Sequence, residues 1–432
     1  MTTSVTLMLV VFVLALVLGL PIAVAVLGAA VVPFLINPTF PGNIEFIIRS
    51  MIAGVDSFTI LALPLFMLSG DIMCKGGISK KLFDLFALIS GKRPGGMPIA
   101  TIITCLFFGA ISGSGPATCA AVGAMALPIL IDDLGYDRRF CGALLATAAG
   151  LAVIIPPSIP YVTICTVTGE SIGDLMKAGI LPGITIGLFL MAYAFIYCKR
   201  HGEDRAKVEA NYEKLKSQGV GKIIVTSIPA LLFPVLTLGG IYGGIVTPTE
   251  AACISVFYAL IVSLFIYRSV KIKDIPNFLV GAVHTYGPIC ILLCVARAFA
   301  KVFTLTGAPT ALANAIVNSI SSKYVFMLMV IFLLFIIGMF MDCGPANVIL
   351  APIFLPVAEA FGINPIHFLL LMVCTLAVGF VTPPFGMNLF VASPMVNVPS
   401  SEIGKSAIPF IIANLAAILL IAFVPAISLV LI

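Results

Sequence analysis

An all-α polytopic membrane protein is the fold class this sequence predicts, built from two inverted repeats that each hold a re-entrant helical hairpin and a proline-broken helix. Three observations predict it. The 432 residues are 61% hydrophobic and 9% charged, and apolar runs long enough to span a bilayer recur from end to end. The stretch at 109–161, beginning GAISGSGPATCAAVGAMALP and ending AAGLAVIIPPSIPY, has a second copy beginning GMFMDCGPANVILAPIFLP and ending LAVGFVTPPFGMNLF. When the chain is threaded back and forth, the cations collect on one side.

The elements follow in order. The first apolar run, 5–35, is too long for a signal-peptide core and lacks a basic flank, so it reads as retained membrane structure, kinked or divided at Pro21. NPTFPGN at 37–43 is a turn, and 51–73 returns across the membrane. At 78–90, Lys80, Lys81 and Asp84 contrast with Leu82, Phe83, Phe86 and Ala87, which predicts an amphipathic helix at the interface. The short apolar runs 97–111 and 118–131 predict a hairpin over about 97–131, turning at 112–117. The run at 140–155 is unwound by Pro156, Pro157 and Pro160 and resumes at 161–168; 175–198 crosses back. The only long polar segment, 199–222, reads as a cytoplasmic linker.

The second half repeats the first. Gly344-Pro345 follows Gly115-Pro116 by 229 positions, Leu355-Pro356 follows Leu127-Pro128 by 228, and Pro383-Pro384 follows Pro156-Pro157 by 227. Pro248 of VTPTEAA follows Pro21 of LPIAVAV by 227. These offsets predict repeats at 1–198 and 223–432, the second with its hairpin at about 325–360. With the linker in the cytoplasm, 18 of the 23 Lys and Arg lie on that side, leaving Arg49, Lys177, Arg297, Lys301 and Lys323 outside. The same threading brings one hairpin in from the cytoplasm and the other from outside, so the repeats are inverted.

The net charge of +5 belongs to loops and does not suggest nucleic acid as a partner; membrane lipid is the expected surrounding. The eleven cysteines lack metal-knuckle spacing and read as small reduced hydrophobes. No GxxxxGK[ST] loop is present, and GESIG at 169–173 lacks the strand that a nucleophile elbow requires, so no enzyme is expected. His201, His284 and His367 have no metal-like partners in the sequence and are assigned no chemistry.

Hydrocarbon tolerates broken helices only where the freed backbone groups are buried in protein or line a watery site. Twin breaks at matching positions therefore predict a solute-and-ion site near the middle of a transporter. The first tip offers Ser112, Gly113, Ser114, Gly115, Pro116 and Thr118: glycines for close approach, hydroxyls and carbonyls for a hard cation, and a helix N-terminus for a carboxylate. Tight packing of small residues is the competing reading. The second tip offers Asp342, Cys343, Gly344, Pro345 and Asn347, with Thr382, Pro383, Pro384, Gly386 and Asn388 opposite. Asp342 is placed to ligate a cation or to cap the following helix. Ser158 and Thr163 are further hydroxyls near the first tip. Arg297 and Lys301 suit snorkelling or recognition of an acidic solute or partner, and Glu250 suits a helix start.

LPLFMLSGDIM (63–73), SGSGPAT, GYDRRF, IIPPSIP, VTPTEAA and TPPFGMNLF resemble the large membrane subunit of tripartite ATP-independent periplasmic (TRAP) transporters, over nearly the whole chain. The resemblance implies secondary import of an organic acid, such as sialic acid or a C4-dicarboxylate, across the bacterial inner membrane. Sodium would be the coupling ion, with no other cofactor, and the motion that of an elevator. It also implies two partners: a separate four-helix small membrane subunit and a periplasmic substrate-binding protein. Carried over by motif, sodium would be held at Ser112, Ser114 and Thr118 with Pro157 and Ser158, and at Asp342, Cys343 and Asn347 with Thr382, Pro384 and Asn388. Substrate would lie at Gly113, Gly115, Pro116, Gly344, Pro345 and Gly386. The alternative is a stand-alone sodium/dicarboxylate or other anion symporter that needs no binding protein.

Overall fold

The computed structural model describes residues 2–320, 322–383 and 386–432. Among them are twenty-one α-helices and no strand. Eight helical segments are long and apolar enough to cross a membrane, or nine if the bent pair over 308–338 is one span.

The opening run is two helices packed side by side, α1 (Thr2–Val17) and α2 (Ile22–Ile36). Gly19 at φ +77 takes the left-handed backbone that the turn needs, and Pro21 starts the second helix. The crossing expected at 51–73 is not one helix. α3 (Ile44–Val55) ends at Asp56, and a 3-10 turn over Phe58–Leu61 leads into α4 (Ala62–Lys75). The backbone leaves the helical region at Asp56 (φ −81, ψ 64) and Ser57 (φ −143, ψ 129), two residue types with weak helix preference, and this divides the apolar pattern there.

α5 (Ile78–Ser90) has the amphipathic face read from its period: Ile78, Leu82, Phe83 and Phe86 are buried while Lys80 is exposed. α6 (Gly96–Ser112) and α7 (Gly115–Pro128) form the first hairpin. Its turn is only Gly113 and Ser114, tighter than the expected 112–117, because Gly113 sits at φ +61. α8 (Arg138–Ala149) starts on the Asp137 cap and runs into a 3-10 turn, after which the prolines interrupt the helix and α9 (Ile159–Thr168) resumes. α10 (Ile172–His201) crosses back.

The polar segment is more ordered than a linker. It holds α11 (Arg205–Lys216), and Lys92 lies 4.7 Å from the Tyr212 ring centroid. The Glu203 carboxylate accepts from the Gly95 amide at 2.8 Å and from the Tyr136 hydroxyl. Burial, and then that carboxylate, push the Tyr136 phenol well up from its ordinary value.

The second half runs α12 (Val220–Tyr242), α13 (Pro248–Ile261), α14 (Ile275–Leu305), α15 (Ala308–Ser319), α16 (Lys323–Gly338), α17 (Cys343–Ala360), α18 (Pro365–Gly379), α19 (Met387–Val396), α20 (Ser400–Phe423) and α21 (Ala426–Leu429). α13 opens on a capping box between Thr247 and Glu250, the helix start expected for Glu250. α9 and α19 are each ten residues long and start at 159 and 387, an offset of 228 (387 minus 159). The second helix of each hairpin packs on the broken helix of the other half, α7 on α19 and α17 on α9. α8 and α18 form the centre, with every residue of 140–149 and of 366–379 buried.

Candidate functional site

Both hairpin turns open on one cavity of about 600 Å³. The first turn contributes Ser112 to Pro116, and the second contributes Asp342, Gly344 and Pro345. Four helices begin at its edge, α7 at Gly115, α9 at Ile159, α17 at Cys343 and α19 at Met387. Each helix start presents the positive end of its peptide dipoles, although Pro116, Pro160 and Pro345 carry no N–H and the Asn388 amide donates to the Phe380 carbonyl, so their convergence makes a weakly positive pole for a negative group without a buried cation.

Behind the first turn, the Ser112 and Thr118 hydroxyls are buried 2.7 Å apart, and Ser112 Oγ lies 3.3 Å from the Ser114 carbonyl oxygen. The Pro157 carbonyl oxygen faces Gly113, only 3.0 Å from where a Cβ would sit. Ser158 Oγ donates to the Val153 carbonyl at 2.6 Å and Thr163 Oγ1 to that of Pro160 at 3.0 Å. These groups are oxygens at close quarters, the donor type for a hard cation.

Asn388 is placed differently from the grouping expected in the sequence. It belongs with the first turn: its side chain lies 3.3 Å from where a Cβ on Gly115 would be, and Nδ2 donates to the Ala146 carbonyl at 2.8 Å. The reason is the exchange of helices between halves, which sets the start of α19 against α7 and α8. Its Oδ1 is buried without a hydrogen-bond partner, and so is Oδ1 of Asn347 behind the second turn. Asn347 Nδ2 donates to Cys343 Sγ at 3.1 Å, which leaves the amide oxygen turned away from the thiol.

Asp342 stands at the N-cap position of α17 but makes no side-chain capping bond, and it is exposed to the cavity. Gly344 has open space where a side chain would go. Thr382 Oγ1 donates to the Val378 carbonyl at 2.7 Å, within its own helical turn. Gly386 does not line the cavity; a Cβ there would press on the Phe380 carbonyl at 2.9 Å, so it serves the tight bend before α19. Pro384 lies outside the described residues.

One wall was missed by sequence reasoning. α4 contributes Gly70, Asp71, Cys74 and Lys75, and α14 packs beside it to complete the wall. Lys75 is 3.4 Å from Asp71 and 4.9 Å from the Phe278 ring centroid. An acid and a base one turn apart at the end of an apolar run was the available signal. Arg297 turns inward: Nη1 donates to the Thr166 carbonyl at 2.7 Å and ties α14 to the last turn of α9.

Residues 9–427 match the family described as tripartite ATP-independent periplasmic transporter, DctM component. The chain is 41% identical over 416 residues to the isethionate TRAP transporter permease protein DctMQ of Oleidesulfovibrio alaskensis. That match takes in 96% of this chain and spans 64% of the relative's length. It is 34% identical to the C4-dicarboxylate TRAP transporter large permease protein DctM of Pseudomonas aeruginosa, over 90% of each chain. In fold it is similar to the YdaH transporter of Alcanivorax borkumensis, with a TM-score of 0.61, 13% identity and 89% of each chain covered.

Proposed function

The chain belongs to the tripartite ATP-independent periplasmic transporters as their DctM component, and from that membership we propose that it imports a small organic acid on a sodium gradient. The observation that carries the acid is the cavity itself, where four helix starts converge. The observation that favours sodium is the pair of buried amide oxygens, Asn388 Oδ1 and Asn347 Oδ1, one behind each turn and neither with a hydrogen-bond partner. A buried acceptor left unpaired is costly, and a cation bound at each turn would satisfy its oxygen.

Each turn then has its own oxygen set. Ser112, Ser114, Thr118, the Pro157 carbonyl and Asn388 serve one ion; Asp342, Asn347 and the neighbouring backbone serve the other. The acid sits between, beside Gly115 and against Gly344, where the backbone is bare. The relatives act on isethionate, a sulfonate, and on C4-dicarboxylates, so the solute is a small carboxylate or sulfonate. The chain works in the bacterial inner membrane with a small membrane subunit and a periplasmic binding protein. The two halves, 1–198 and 223–432, are inverted, and the hairpins with their broken helices move as one body past the α4–α14 wall, as an elevator.

The test is uptake into proteoliposomes holding this chain and its small partner, with labelled succinate and labelled isethionate. Accumulation is expected only with inward-directed sodium and with the binding protein present. Uptake indifferent to sodium sinks the coupling, and full uptake without the binding protein sinks the tripartite reading.

A further inference from the structure

The cavity lining holds three charged side chains among the described residues, Asp71, Lys75 and Asp342, so Lys75 is its single cation. Without it, two carboxylates would face the solute, and an acid would be repelled. Lys75 is held in place from two sides, by Asp71 one turn back at 3.4 Å and by the face of the Phe278 ring at 4.9 Å. Asp71 reaches across to α14, its Oδ2 3.5 Å from where a Cβ on Gly281 would be. The Lys75 side chain still keeps 57% of its surface exposed. An ammonium has three donors, and a partly solvated pair of this kind is worth little, so Lys75 can take a second acidic group at small cost.

We propose that Lys75 is a specificity-determining residue, the counter-charge that admits small organic anions to the cavity and disfavours cations, and that Asp71 is its positioning residue. This rests on the transport reading only for the acidic nature of the solute. The charge sits on α4, a separate element from either hairpin turn, so recognition of the acid is divided between helix starts that hold no cation and one cation on the facing wall.

The experiment uses two thiol reagents of opposite charge, the anionic sulfonatoethyl and the cationic trimethylammonioethyl methanethiosulfonate, on the full chain in proteoliposomes. Labelling is read by peptide mass spectrometry at native Cys74 and at Thr285→Cys, both cavity positions. Ser217→Cys, exposed on the linker, is the control. Taking the ratio of anionic to cationic rates cancels any change in thiol reactivity. Lys75→Gln is expected to lower that ratio about tenfold in the cavity, Lys75→Arg to keep it, and Asp71→Asn to raise it. A ratio unmoved by Lys75→Gln at both cavity thiols, or one that falls equally at the control, overturns the proposal. Labelling needs no transport. An intact charge ratio with no sodium-driven uptake therefore removes the coupling reading alone, and normal uptake with an unmoved ratio removes the role of Lys75 alone.

Discussion

At the scale of single residues, the structure separates groups that face the cavity from groups that stand behind the turns. Ser112, Ser114 and Asp342 reach the cavity, whereas Thr118, Asn347 and Asn388 are fully buried behind it. Replacing Asn388 by Ala removes both its bond to Ala146 and its free oxygen, so half-saturating sodium for uptake is expected to rise at least tenfold, roughly the effect of losing a ligand's support. Thr118→Ala and Ser114→Ala should raise it less, since each site keeps carbonyl oxygens; sodium titration of uptake orders the three. Asp342→Ala should abolish sodium-dependent uptake with the protein still in the membrane, and unchanged sodium dependence removes Asp342 from the site. The hairpin residues were legible because Gly, Ser and Pro inside an apolar run have few other uses. The partner of Asn388 was not, because contact between positions 115 and 388 depends on the two halves exchanging helices.

At the scale of elements, glycine marks two different jobs. Gly379 lets α18 cross α16, where a Cβ would collide with the Gly338 carbonyl. Gly379→Ala is expected to cost about 1–3 kcal/mol, the usual penalty of overpacking, read as a lower melting temperature in detergent. Gly344 faces open space, so Gly344→Ala should melt like the parent while raising KM for the solute. If the Gly344 variant instead loses stability, that glycine is a packing residue. The sequence period was enough for α5 and for the proline break before α9, where one strong local signal decides. It was not enough at 51–73, where continuous hydropathy hid the break at Asp56 and Ser57. Nor did composition show that the polar segment folds as α11 against α5, since that helix has no buried residue of its own and leans on a few directed contacts.

For the whole molecule, the offset of 228 between the starts of α9 and α19 did not reveal which walls enclose the cavity. α4 and α14 became visible only once the turns had something to face. Arg297 ties α14 to α9 through the Thr166 carbonyl, a bond with a charged donor worth about 1.5–3 kcal/mol. Arg297→Ala should therefore depopulate this arrangement, and a thiol at Thr285→Cys should label more slowly; faster labelling contradicts that role. Glu203 binds the linker to Gly95 and Tyr136 at the foot of the first hairpin. Glu203→Ala is expected to speed tryptic cleavage within 199–222, measured by intact-mass time course.

The two turns, for all their matching positions, are not chemically the same. Ser114 and Thr118 on one side correspond to Cys343 and Asn347 on the other, and the carboxylate of Asp342 takes the place of Gly113. If each turn takes an ion as proposed, the carboxylate side charges first and the neutral side second, so that occupancy has a sequence in time. A transporter with such a queue would bind its solute tightly only after the later ion, which makes the neutral turn the step that commits the cycle.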